Sequence, residues 1–115
     1  MRNLKYFVLT LTILRSVLAV TSVTSPYAST VWVPGSQAKI TWVGQSSGKL
    51  TLNLYEGPTP ENLQKKRVLA TDIDPSNFSA IVQVPSDLEF KNTYAVGIYD
   101  CGTEGTAFSH YFTVS

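Results

Sequence analysis

Few residues in this chain have the types and spacing that chemistry requires. His110 is the sole histidine, and nucleophilic triads and most metal centres need a histidine beside other polar groups. Phe108, His110, Phe112 and Val114 alternate with Ser109, Tyr111 and Thr113, which reads as one strand. Neighbours in a strand face opposite ways, so Ser109 and His110 cannot pair as nucleophile and base. A half-buried structural histidine is the expectation. Asp72 and Asp74, two apart, have the composition of a carboxylate pair that works on glycosides. Asp74-Pro75 is also an ordinary turn starter, and that structural reading is preferred. Asp72, Asp74 and Asp100 lack the dense Asp/Asn/Gly spacing of a calcium loop. No catalytic residue, no metal ligand and no cofactor is expected.

Other side chains are suited to contact rather than catalysis. Tyr55, Tyr99 and Tyr111 fall opposite apolar strand faces and form a candidate ligand-binding stripe. Sugar rings stack by their C–H faces on exposed aromatics, with hydroxyl and amide partners at the edge. The plainer reading is cross-strand pairing that stabilises a sheet face. Asn77-Phe78-Ser79 is an Asn-x-Ser sequon at a turn, so Asn77 is a candidate N-glycosylation site. Cys101 is the only cysteine, which excludes an intramolecular disulfide. Lying in an Asp-Cys-Gly turn it should be exposed, either unpaired or as half of an intermolecular disulfide. No neighbouring base is evident to activate it as a nucleophile. Lys65-Lys66-Arg67 reads as a solvated strand edge that discourages edge-to-edge pairing, in preference to a site for an acidic surface or for dibasic processing.

Positioning such residues falls to strands. From Val20 onward, alternation rich in Val, Ile, Thr, Tyr and Phe recurs between turns built of Gly, Pro, Asn, Asp and Ser. Val31–Val33 stops at Pro34-Gly35. Ala38, Ile40 and Trp42 share one face, which makes Trp42 the expected core tryptophan. Leu50, Leu52 and Leu54 lie opposite Thr51, Asn53 and Tyr55. In the loop from Gly57 to Leu63, Thr59 is placed to cap one helical turn with Pro60 at its first position. Extended runs follow at Arg67–Ile73, Phe78–Val84, Tyr94–Tyr99 and Phe108–Val114. About seven strands at this spacing predict an all-β fold, an immunoglobulin- or fibronectin III-like antiparallel sandwich. Leu88 ahead of Tyr94 resembles a tyrosine corner, in which the phenol hydroxyl bonds backbone a few residues upstream; the other reading is a core tyrosine with its hydroxyl at the rim. With no disulfide available inside the chain, stability must come from apolar burial between sheets.

The chain opens differently. Arg2 and Lys5 precede an apolar run from Tyr6 to Leu14, and Val17-Leu18-Ala19 offers small residues at the positions a signal peptidase reads. A bilayer core needs about 20 consecutive apolar residues, and Arg15 ends this run too early for a transmembrane anchor. The expectation is a secretory signal peptide over residues 1–19, cut after Ala19, and a single sandwich domain over 20–115. With Val20 first, an N-terminal histidine that chelates copper through its own amine is ruled out. The whole chain carries 9 Lys+Arg against 8 Asp+Glu, a net charge of +1. Without the leader six basic groups face eight acidic ones. Neither balance gives the clustered positive surface that nucleic acid requires. Ser115 closes a strand rather than an apolar tail, so no membrane anchor is expected in the mature chain.

Several short segments together resemble a known family. They are Val23-Thr24-Ser25-Pro26, Trp32 with Pro34-Gly35, Ile40-Thr41-Trp42, Leu52-Asn53-Leu54-Tyr55, Val84-Pro85-Ser86-Asp87-Leu88, Tyr94-Ala95-Val96 and Phe112-Thr113-Val114. The family is the N-terminal domain of fungal cell-wall synthesis proteins, found also in Ser/Thr-rich GPI-anchored surface proteins. The resemblance implies an extracellular sandwich associated with the fungal wall, in some members tied to β-1,6-glucan assembly, and it carries no catalytic motif over. The Ser/Thr-rich stalk and anchoring tail of many members have no counterpart in these residues. The expected function is a secreted, non-enzymatic wall module that assists glucan assembly or binds wall polysaccharide or wall proteins. The alternative is an extracellular interaction module acting on host or neighbouring cells, dimerised through Cys101. A third reading, a small glycan-active enzyme, would have to use Asp72 and Asp74.

Overall fold

Alternation decides which side of each strand is buried. In β3 (Gln37–Gly44) Ile40 and Trp42 are fully covered, and in β4 (Leu50–Glu56) Leu50, Leu52 and Leu54 are sealed from solvent. Tyr94, Val96 and Ile98 do the same in β7 (Lys91–Asp100). The computed structural model describes residues 19–115; the expected leader lies outside the described residues except for Ala19. The remaining strands are β1 (Val20–Ser25), β2 (Val31–Trp32), β5 (Gln64–Ile73), β6 (Ser79–Gln83), β8 (Gly105–Phe108) and β9 (Phe112–Val114).

A three-stranded sheet, β1-β3-β6, faces a six-stranded one ordered β2-β9-β7-β4-β5, with β8 also paired to β7. Among the described residues all pairings are antiparallel except β2 with β9. One apolar cluster fills the space between them, drawn from Ile40, Trp42 and Val82 on one side and from Leu52, Val96 and Phe112 on the other. The fold is therefore the all-β sandwich expected. Trp42 is its core tryptophan, and its Nε1–H donates to the Pro75 carbonyl at 3.1 Å, so the indole is buried without an orphan donor. Trp32 packs on Phe112 with ring centroids 4.5 Å apart. The Tyr94 hydroxyl donates to the Glu89 carbonyl at 3.0 Å, five residues upstream, which is the tyrosine corner. Burial raises the Tyr94 pKa, keeping the phenol a donor.

Nine strands are described where about seven were expected, and each difference has a cause. The strand β1 escapes period-2 reading because Val20 and Val23 are both buried although three residues apart. Its register against β3 shifts between Val20 and Ser22 and again between Val23 and Ser25, and such bulges re-aim side chains. The last expected strand is two. Phe108 lies opposite Gly97 and Phe112 opposite Tyr94, so one strand advances four residues while its partner advances three. The extra residue turns Phe108 outward and Phe112 inward. His110 sits in this break, exposed and outside any strand, rather than half-buried as expected. Phe78 is also off its expected strand: it has φ 55°, caps a 3₁₀ turn over Pro75–Asn77 and is 40% exposed.

The polar start of β5 carries no apolar signal, yet Gln64 and Lys65 pair with Glu56 and Tyr55. Lys65-Lys66-Arg67 therefore lies within an edge strand rather than at its entrance. The loop before it holds a turn closed by Asn62 N–H to the Thr59 carbonyl at 3.0 Å, not the helical turn expected there. That single helical turn forms at Pro75 instead, with Asp74 as its cap.

Candidate functional site

The outer face of the large sheet carries a tyrosine-flanked cleft. Residues directly opposite in an antiparallel pair share a face. Thr51 lies opposite Tyr99, Asn53 opposite Gly97 and Tyr55 opposite Ala95, while Gly97 also faces Phe108. This row lies opposite the leucines of β4, so the strands that build the core also fix the cleft. Thr51, Asn53, Tyr55, Lys65 and Tyr99 line it, with a volume of about 320 Å³. That is at the lower end of the range for small-ligand sites.

Gly97 sets the position of the aromatic wall. A Cβ built there would meet Tyr55 Cε1 at 2.5 Å and Phe108 Cε1 at 3.0 Å. Tyr55 thus lies across bare backbone, edge-on to Phe108 with centroids 4.9 Å apart and planes at 79°. Asn53 forms the floor. It is only 3% exposed, and its Oδ1 is buried without a hydrogen-bond partner. An unsatisfied buried acceptor costs roughly 1–3 kcal/mol, so this amide is held at a cost that the contacts of the described residues do not offset.

The cleft brings together two of the three tyrosines singled out in the sequence. Tyr111 does not line it; the Tyr111 hydroxyl donates to the Gly57 carbonyl at 2.7 Å, and desolvation raises its pKa. Asn53 was missed, because an asparagine on the outward side of an alternating strand reads as solvated. Only the fold, which sets Asn53 between Val68 of β5 and Gly97 of β7, reveals that it is buried.

Other sequence candidates fall elsewhere. Asp74 accepts from Ser76 N–H at 3.0 Å and Ser76 Oγ at 2.8 Å, and these bonds lower its pKa, as befits a cap. Asp72 is exposed at φ 56°. Asp100 is buried, and among the described residues no three His, Cys, Asp or Glu side chains gather to hold a metal ion. Asn77 is exposed at the end of the 3₁₀ turn, and Cys101 is exposed and free in the chain.

Two further recesses compare differently. One of about 220 Å³ is lined by charged groups that pair with one another: Lys66 and Lys91 with Glu56, Lys91 with Glu89 and Arg67 with Asp87. The other, about 380 Å³, lies between β2 and the start of β3, where Tyr27, Val31 and Val33 are each more than half exposed.

Residues 25–114 match the Kre9/KNH-like N-terminal Ig-like domain. The chain belongs to this family of fungal cell-wall related Ig-like domains, as the sequence resemblance implied. Comparison with curated proteins returns no match. Family membership points to an extracellular or wall location. No helix among the described residues is long and apolar enough to cross a membrane.

Proposed function

We propose that this Kre9/KNH family member is a secreted, non-enzymatic module that binds wall polysaccharide through the cleft between Tyr55 and Tyr99. The observation that carries the reading is the buried, unpartnered Asn53 Oδ1 beneath a tyrosine-flanked cleft on a rigid sheet face. A glucan chain presents alternating C–H faces and hydroxyl edges, which suit the rings of Tyr55 and Tyr99 and the amide of Asn53 respectively. Thr51 and Lys65 add donors at the rim. The ligand is expected to be a short stretch of β-glucan, held without bond cleavage. Export follows removal of the leader after Ala19, and Asn77 is proposed to carry an N-glycan on the way.

Retention of the secreted protein on insoluble β-glucan and on chitin tests this reading. The double variant Tyr55→Ala/Tyr99→Ala should lose retention on β-glucan, while Tyr111→Ala should keep it. Equal retention of all three proteins contradicts the cleft as the site. A protein-binding reading draws support from the exposed Tyr27, Val31 and Val33, since rimmed apolar patches favour protein contacts. It predicts capture of a wall or cell-surface protein that Val31→Ser/Val33→Ser abolishes and the tyrosine variants leave intact.

A further inference from the structure

We propose that cleavage between Ala19 and Val20 creates an internal ion pair, in which the new Val20 α-ammonium neutralises the buried Asp100 carboxylate. The inference rests on the proposed leader cleavage and adds what that cleavage does to the fold. Asp100 closes β7 and is 2% exposed. Its Oδ2 accepts from the Val20 backbone nitrogen at 3.1 Å. Its Oδ1 accepts from the Ser46 hydroxyl and from Gly102 N–H, the latter at 2.9 Å. All three donors are neutral. The ion pairs among the described residues join Glu56, Asp87 and Glu89 to lysines or arginine; Asp100 is in none of them. A buried carboxylate without a countercharge is costly, and one with a well-placed cation is far less so.

Processing supplies that cation at the right atom. Water adds across the Ala19–Val20 amide, and the C–N bond breaks. Hydroxide oxygen joins the Ala19 carbonyl carbon, which leaves as a carboxylate, and the Val20 nitrogen takes both protons to become an ammonium. An α-amine with a pKa of about 7.7–8.0 is already largely charged at neutral pH, and a carboxylate beside it favours that form further. The nitrogen need not move to find its partner. The Val20 side chain is in the core at 9% exposure, so packing holds this residue after the chain ahead of it is gone. Ala19 is half-buried, and its departure opens the other ammonium protons toward water. The paired N-terminus then ties β1 to the end of β7 and to the turn at Ser46.

The test uses the secreted protein and variants that differ at the N-terminus and at Asp100. Sequencing of the secreted chain should begin at Val20; any other first residue overturns the proposed cleavage and with it the natural pair. The Tm is then compared for a chain starting at Val20 and one with a single extra glycine ahead of it, each with and without Asp100→Asn. The glycine leaves the Val20 N–H in place as a donor but moves the charge by about 3.8 Å, so a merely structural hydrogen bond predicts no change. The pair predicts a Tm lower by roughly 4–8 °C for the extended chain and no difference between termini once Asp100→Asn is present. Equal Tm values, or the same difference in both backgrounds, overturn the pair even if sequencing begins at Val20. Should Asp100→Asn fail to fold, acylation of the α-amine decides. The Val20-first amine should react about tenfold more slowly than the glycine-extended one, and equal rates overturn the proposal.

Discussion

Replacing Asn53 by leucine removes a buried amide of similar volume whose Oδ1 accepts no hydrogen bond. Removing such a group is neutral or stabilising, by up to about 1–3 kcal/mol, so Asn53→Leu should keep or raise the denaturant midpoint while retention on β-glucan falls. A buried polar residue kept only for packing would show the opposite pair of results. At Tyr94 the hydroxyl donates its proton to the Glu89 carbonyl at 3.0 Å. Tyr94→Phe should cost about 1 kcal/mol in urea unfolding and leave glucan retention unchanged. At Asn77 the proposed glycan makes a mass prediction. Treatment with an N-glycan-removing enzyme should lower the mass of the secreted protein, and Asn77→Gln should remove that difference.

The pairing of β4 with β7 places Tyr55 over Gly97, and a methyl there meets the ring at 2.5 Å. Gly97→Ala should therefore push Tyr55 and Phe108 apart, destabilise by about 1–3 kcal/mol as overpacking does, and weaken glucan binding without touching a contacting side chain. Thermal unfolding and retention on the same sample check both. The contrast between strands shows what alternation can reveal. Ile40 and Trp42, the leucines of β4 and the apolar face of β7 follow strict period 2, and their core role is legible in the sequence. Val20 and Val23 are not, because bulges restore burial at a spacing of three, and Phe108–Phe112 hides a one-residue slip. The site divides in the same way. Tyr55 and Tyr99 are legible as an outward row, but the covered state of Asn53 depends on neighbours from β5 and β7 that only tertiary pairing brings together.

Across the whole molecule, the ion pairs among the described residues lie around the edge strand and the loop before β7, while the cleft carries the single charge of Lys65. Arg67 of the edge strand pairs with Asp87 in the loop before β7 and holds the Asp87 carboxyl below its ordinary pKa. The contribution of a carboxylate so lowered is present above the unfolded value of about 3.9 and is lost as pH falls through the folded value. Both partners are exposed, so screening keeps it small. Arg67→Gln should lower stability slightly at pH 7 and make the loss of stability with acid less steep, the difference from the parent vanishing once pH falls below the lowered Asp87 value; urea unfolding across that pH range checks it. What remains is a sandwich whose inner face supplies stability and whose outer face, in a family related to the fungal wall, offers two tyrosines over an orphan acceptor. The most direct measurement is the affinity of the secreted protein for soluble β-glucan oligomers, titrated beside Tyr55→Ala/Tyr99→Ala. The account predicts saturable binding that weakens at least tenfold in the variant; absence of binding by the parent protein, or equal affinity of the two, would contradict it.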